Sequence, residues 1–253
     1  MDVVCIGSGN VATHMARAFK KSGANLIQIW SRSLDNAVVL ANELEAEPVS
    51  AFKEINRSAD LYVIAVKDDA IAGVAEALKG IEGLVVHTSG ATDISILSSF
   101  KKFGVLYPLQ TFSKNKQIDF ANVPLCIESL DKSILEKLRS VASGLTPMVY
   151  EVDSEKRRIL HLAAVFACNF VNHMYMLSDE LVKRHGLEFE MLKPLIMETA
   201  VKVQTESPIT VQTGPAVRND EKTLTRHLEL LDQMPDLAQI YQTLSKSIKK
   251  THS

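Results

Sequence analysis

Cysteine is scarce in this chain. Cys5, Cys126 and Cys168 are the three among 253 residues, and they lie far apart. They form no CxxC pair and no zinc spacing, so a disulfide framework is excluded and a reduced, cytoplasmic protein is expected. Charge of one sign is also lacking. Lys and Arg number 28 against 30 Asp and Glu, a formal charge of −2. Composition therefore offers no footprint for nucleic acid or an anionic membrane. No long apolar run is free of polar residues. The most apolar stretch, 159–177, carries His161, Asn169, Asn172 and His173, which a lipid-spanning helix rarely holds. A buried helix and no membrane partner are expected there. No charged leader stands before the first apolar run, so no targeting segment is expected. Hydrophobic residues make up 46%, enough for a substantial core without staples.

The first 150 residues alternate short apolar runs with helical runs. Strands are predicted at 2–6, 26–30, near Pro48, and at 61–66, 84–87, 105–107, 124–128 and 148–152. Helices are predicted over about 11–22, 34–44, 69–78 and 94–103, with Gly23 stopping the first. Continuous apolar strands between helices mean a parallel sheet covered on both faces. After Val152 the β signal stops. Helices are predicted over about 154–184, 189–205, 220–233 and 236–249. The expected fold is therefore α/β, a Rossmann-type doubly wound parallel sheet over residues 1–152. An all-α C-terminal domain over 153–253 follows it.

The run Gly7, Ser8, Gly9, Asn10, Val11, Ala12 follows the first strand and opens a helix. This is GxGxxA. Gly7 suits a tight turn, Gly9 lets a pyrophosphate approach the backbone, and Ala12 lets helix and strand pack closely. The free N–H groups of the helix start favour phosphate. The second strand ends in Ser31, Arg32 and Ser33, with no acid. An acid there would bond the ribose 2′-hydroxyl of NAD, whereas an arginine accommodates the 2′-phosphate of NADP. NADP(H) is the expected cofactor, and no metal is expected.

Ligands of open α/β sheets bind beyond the carboxyl ends of the strands. Ala65 and Val66 would let the cofactor lie on backbone. Lys67 is ambiguous, and Asp68 reads most simply as a helix cap. His87, Thr88 and Ser89 close the next strand, where a nicotinamide ring would lie. His87 is either a proton donor or a satisfied strand-end histidine. Tyr107, Gln110 and Thr111 should reach the same rim as substrate contacts, with Tyr107 equally placed to be core.

At about 100° per residue, His161, Asn169, Asn172 and His173 share an arc of about 120° on the long helix. Unpaired polar groups on an otherwise apolar helix cost about 1–3 kcal/mol each, so the strip needs partners. It faces either a cofactor cleft, with Asn169 and His173 as catalytic candidates, or a network in the core or between subunits. The loop Thr213 to Asp220 holds Arg218, which is suited either to clamping a substrate carboxylate or to tying the loop together.

Together these segments resemble the Rossmann-like NADP oxidoreductases whose helical C-terminal domain has no assigned function. GSGNVA at 7–12, VVHTSGA at 85–91, YPLQTF at 107–112, AAVFACN at 163–169 and TGPAVRND at 213–220, with His227, carry the likeness. More distantly, the layout is similar to pyrroline-5-carboxylate reductase and the 6-phosphogluconate dehydrogenase group. The resemblance implies an NADP-binding N-domain, a helical dimerisation domain and a cleft between them. It implies no substrate. The hydroxyacid dehydrogenases of the wider group place a catalytic lysine four residues before an asparagine. If Asn169 is that asparagine, the lysine position is Val165, and that mechanism does not transfer. The expectation is a cytoplasmic NADP(H)-dependent oxidoreductase. It would move a hydride to or from a C=O or C=N carbon of a small polar, anionic substrate. The expected assembly is a homodimer built on the C-terminal helices. The alternative is an NADP-binding sensor or scaffold without turnover.

Overall fold

The computed structural model describes residues 1–252. They form two compact units, Met1–Asn169 and the remainder from Phe170 onward. In the first unit, β1 (Asp2–Ile6), α1 (Asn10–Lys21), β2 (Asn25–Trp30), α2 (Leu34–Leu44) and β3 (Glu47–Val49) make one half. The other half is β4 (Leu61–Ile64), α3 (Ile71–Ala77), β5 (Leu84–His87), β6 (Phe103–Pro108), β7 (Leu125–Glu128), α4 (Lys132–Ser143) and β8 (Val149–Glu151). The eight strands lie in the order β3-β2-β1-β4-β5-β6-β7-β8. The chain runs outward from β1 in one direction and from β4 in the other. The order therefore reverses between β1 and β4, where such sheets bind ligands.

Alternation along β1 shows why the sheet is covered on both faces. Val3 and Cys5 join a core with α1, α2 and α4, whereas Val4 and Ile6 join a second core with α3. Both sets are essentially fully buried. The doubly wound sheet followed by a helical region agrees with the expected fold class.

Three local expectations are corrected. The sheet is not wholly parallel, because β6 and β7 pair antiparallel, with Tyr107 opposite Cys126. The segment 94–103 is not a helix but one 3₁₀ turn, Ile94–Leu97. Its buried residues Ile94, Leu97 and Phe100 recur every third position, which suits three residues per turn rather than 3.6. Helix α4 was not foreseen. Asp131 caps it by accepting from Ser133 N and Ile134 N, and Leu138 and Ala142 bury one face.

Beyond β8, α5 (Ser154–Ala164) leads through a π-helical segment, Val165–Phe170, into α6 (Val171–Arg184). Helix α5 stays with the first unit because Arg157 is fully buried there against Glu128. The boundary between units thus falls after Asn169, compared with 152 expected from the loss of β signal. By length and mean hydropathy, the run Ser154–Arg184 is able to cross a membrane. It is not the buried helix expected: Ile159, Leu162 and Met176 are each more than half exposed. The second unit continues with α7 (Lys193–Thr205), α8 (Glu221–Leu230) and α9 (Pro235–Thr251). All three cysteines are free, with Cys5 and Cys126 buried and Cys168 exposed.

Candidate dinucleotide site

A cleft of about 740 Å³ runs along the carboxyl ends of β2, β1, β4, β5 and β6, all within the first unit. That volume is within the usual range for ligand sites. Its centre is the turn between β1 and α1. Gly7 has φ +136°, and a Cβ there would lie 2.2 Å from the Ala65 carbonyl oxygen at the end of β4. Only glycine fits so close an approach. A Cβ on Gly9 would meet nothing within 4 Å, so the space over this residue is open to a ligand. No side chain caps the first turn of α1. Its leading N–H groups therefore stay available to an anion, with the helix dipole behind them. This combination fits a pyrophosphate.

The neighbouring groups are fixed by local contacts. Ser8 Oγ donates to Ser31 Oγ over 2.9 Å, joining the glycine loop to the end of β2. Arg32 is exposed, lines the cleft and has no ion-pair partner among the described residues. Asn10 Nδ2 donates to the Phe112 carbonyl at 2.9 Å, and His14 Nε2 meets the Ser113 carbonyl at 2.9 Å. Helix α1 thus holds the strand-exit segment 112–113 alongside the phosphate loop.

Of the residues expected to bind cofactor, Gly7, Ser8, Gly9, Asn10, Val11, Ser31, Arg32, Ala65, Val66, Thr88 and Ser89 all line the cleft. Ala12 and Ser33 do not. Ala12 is fully buried under Gly7, where it serves the helix–strand packing, and Ser33 is exposed at the start of α2. Asp68 is corrected as a cap. It begins a 3₁₀ turn, Asp68–Ala70, with no side-chain cap bond, and it lines the cleft beside Lys67.

His87 is corrected as the proton donor. It is fully buried and does not line the cleft. Its Nδ1 accepts from Ser89 N at 3.2 Å, while Nε2 is buried with no hydrogen-bond partner among the described residues. Burial, with the Arg157 guanidinium nearby, pushes its pKa down to about 3, so the ring is neutral at physiological pH. Its contact is structural: it shapes the turn that presents Thr88 and Ser89.

Tyr107 and Gln110 line the cleft, whereas Thr111 is an exposed neighbour whose N–H donates to Gln110 Oε1. Sequence reasoning assigned His161 only to the polar strip; it too lines this cleft. Its Nδ1 lies 3.0 Å from Tyr107 Oη. Gly90 sits directly beneath the pair. A Cβ there would come within 2.8 Å of both rings, which explains the glycine. Val165–Phe170 is π-helical, so the regular spacing of about 100° per residue from His161 does not hold through it. Asn169 is exposed in that turn. His173 lines a separate hollow of about 400 Å³ in the second unit, with Glu180, Arg184 and Asp236. Arg218 is exposed in the same unit; hydrogen bonds from Thr223 hold the Asp220 carboxyl below its ordinary range, and the Arg218 charge adds to that.

The fold and the cleft define a dinucleotide-binding α/β protein with a helical second unit. Residues 2–89 match the family described as NADP oxidoreductase coenzyme F420-dependent, and residues 123–248 match a domain of unknown function (DUF2520). A Bacteroides fragilis protein that carries a provisional NADP oxidoreductase name is 41% identical, with a TM-score of 0.93 over 98% of each chain. A Thermotoga maritima protein shares 22% identity, with a TM-score of 0.84 over 99% of each chain. An imine reductase from Myxococcus stipitatus, solved with NADP+, shares the fold at 16% identity and a TM-score of 0.66, over 99% of this chain and 92% of that one. A search of curated protein sequences finds no match. The chain belongs to the NADP oxidoreductase family that joins a Rossmann-like domain to this C-terminal domain.

Proposed function

We propose that this protein binds NADP(H) along the cleft and transfers a hydride to or from a C=O or C=N carbon of a small polar substrate. One observation carries the cofactor assignment. The glycine loop opens onto empty space at Gly9, and Arg32, with no ion-pair partner among the described residues, stands where a 2′-phosphate would lie, with Ser8 and Ser31 beside it. The bound nicotinamide supplies the hydride chemistry; the protein holds and orients the reactants. Ala65 and Val66 offer a flat backbone surface, and Thr88 and Ser89 place hydroxyls at the far end. Asn169 and His173 stay proposed as catalytic candidates, and Arg218 as an anchor for an anionic group.

The proposed assembly is a homodimer through the C-terminal helices, in a soluble cytoplasmic protein with no nucleic-acid or membrane partner. Helices α6, α7 and α9 hold no buried residue. Met191, Leu195, Met197 and Val201 are each more than half exposed. Apolar helix faces of this kind need a covering surface, and a second copy supplies a self-complementary one.

Calorimetric titration with NADPH and then NADH tests the cofactor reading. NADPH should bind at least tenfold more tightly, and Arg32→Ala should remove that preference. Binding of neither would overturn the reading. Binding of NADPH without consumption by any oxo acid or imine would favour a sensor instead.

A further inference from the structure

The cleft needs a proton donor at its reacting end, and the residue first expected there is buried. The sheet order says where that end lies. The phosphate loop follows β1, and Arg32 marks the adenosine side at β2. The nicotinamide must then reach the opposite side, over the ends of β4, β5 and β6. Tyr107 stands in β6, one residue before its carboxyl end, and β6 runs parallel to β5. His161 comes from α5, 54 positions later, and closes on Tyr107 Oη at 3.0 Å. The rings meet edge to face, with centroids 6.0 Å apart. Both line the cleft, and Gly90 lacks the side chain that would displace them.

We propose that Tyr107 is the proton donor to the substrate heteroatom and that His161 is the positioning residue that recharges it. The proposal rests on the NADP(H) reading above. Burial, with Cys126 and Asp68 nearby, raises the Tyr107 phenol to about 12 against an opposing effect of Arg157, so it carries its proton at neutral pH. As hydride reaches the carbon of a C=X bond, the π pair moves to X. X takes the proton of Tyr107 Oη: the O–H bond breaks and an X–H bond forms. The resulting phenolate takes the Nδ1 proton of His161 while the ring's bare Nε2, which makes no hydrogen bond among the described residues, takes one from water. Reduced nicotinamide, one proton and C=X thus give oxidised nicotinamide and HC–XH.

Nuclear magnetic resonance of histidine-labelled protein tests the placement without turnover. His161→Asn identifies the signal. NADP+ carries a positive ring that NADPH lacks, so His161 should titrate about half a pH unit lower, or more, in the NADP+ complex. Tyr107→Phe should move the same signal and leave NADPH affinity within about threefold. Both nucleotides binding with identical His161 titrations overturns the proposal alone. Neither nucleotide binding overturns the dinucleotide reading and the proposal with it. With pyruvate and 1-pyrroline as probes, Tyr107→Phe should lower NADPH oxidation at least about 100-fold with KM nearly unchanged. An unchanged rate overturns the donor role; if the wild type oxidises NADPH with neither probe, the titration arm decides.

Discussion

The two units dispose of their apolar residues in opposite ways. In the first, each face of the sheet is covered, and even an arginine, Arg157, is fully buried against Glu128. In the second, Ala216, Leu224 and Leu231 are the only buried apolar residues among those described, while α6, α7 and α9 have none. The first unit has the core an independent domain needs. The second has faces that require something to cover them. The candidate dinucleotide cleft is built wholly by the unit that is complete, so nucleotide binding and assembly should separate experimentally.

The largest effect should fall on the complete unit. Arg157→Met would strand Glu128, which also accepts from Ser154 N at 2.9 Å, and would free the Thr92 carbonyl. Breaking one side of a buried pair costs about 3–5 kcal/mol. Urea unfolding should show that loss; a change below about 1 kcal/mol would mean the pair is not buried in solution. Next comes the incomplete unit. Leu195→Glu with Met197→Glu places charge on the exposed face of α7 and should weaken self-association on the order of 100-fold, close to 2.7 kcal/mol. Sedimentation should show monomers that still bind NADPH. A wild-type monomer would remove the dimer, and lost nucleotide binding would break the separation of roles.

A smaller effect is expected at Arg32. Losing one charge-assisted contact to an exposed phosphate should cost about 1–2 kcal/mol of NADPH affinity and little of NADH affinity. Equal losses for both would show that Arg32 does not read the 2′ position. The smallest effect at neutral pH belongs to His87. Its folded pKa of about 3 lies below the ordinary 6.5, so the fold favours the neutral ring. That stability is complete above about pH 6.5 and declines as pH falls toward 3, by up to about 1.4 kcal/mol per pH unit. His87→Asn should flatten the decline in urea midpoint between pH 7 and 5. Parallel curves for variant and wild type would contradict it.

The same contrast governs how much could be read from sequence. The glycine loop, Arg32 and the ends of β4 and β5 are local signals, each carried by a few consecutive residues, and they meet in one cleft. Helix α4 had its signal too, an Asp131 cap and apolar residues at 134, 138 and 142. The Tyr107–His161 pair had none, because it joins a strand and a helix 54 positions apart. His87 misled because a strand-end position gives the height of a side chain but not the face it turns to. The exposed helices misled because an apolar sequence says that a face will be covered, not by which chain.

The most direct test of the central claim is a crystal structure of the protein grown with NADP+. The account predicts the pyrophosphate on the N–H groups of residues 9–12, the 2′-phosphate against Arg32, and the nicotinamide within reach of Tyr107. A dinucleotide bound outside this cleft, or reversed along it with adenine at Tyr107, would contradict the account.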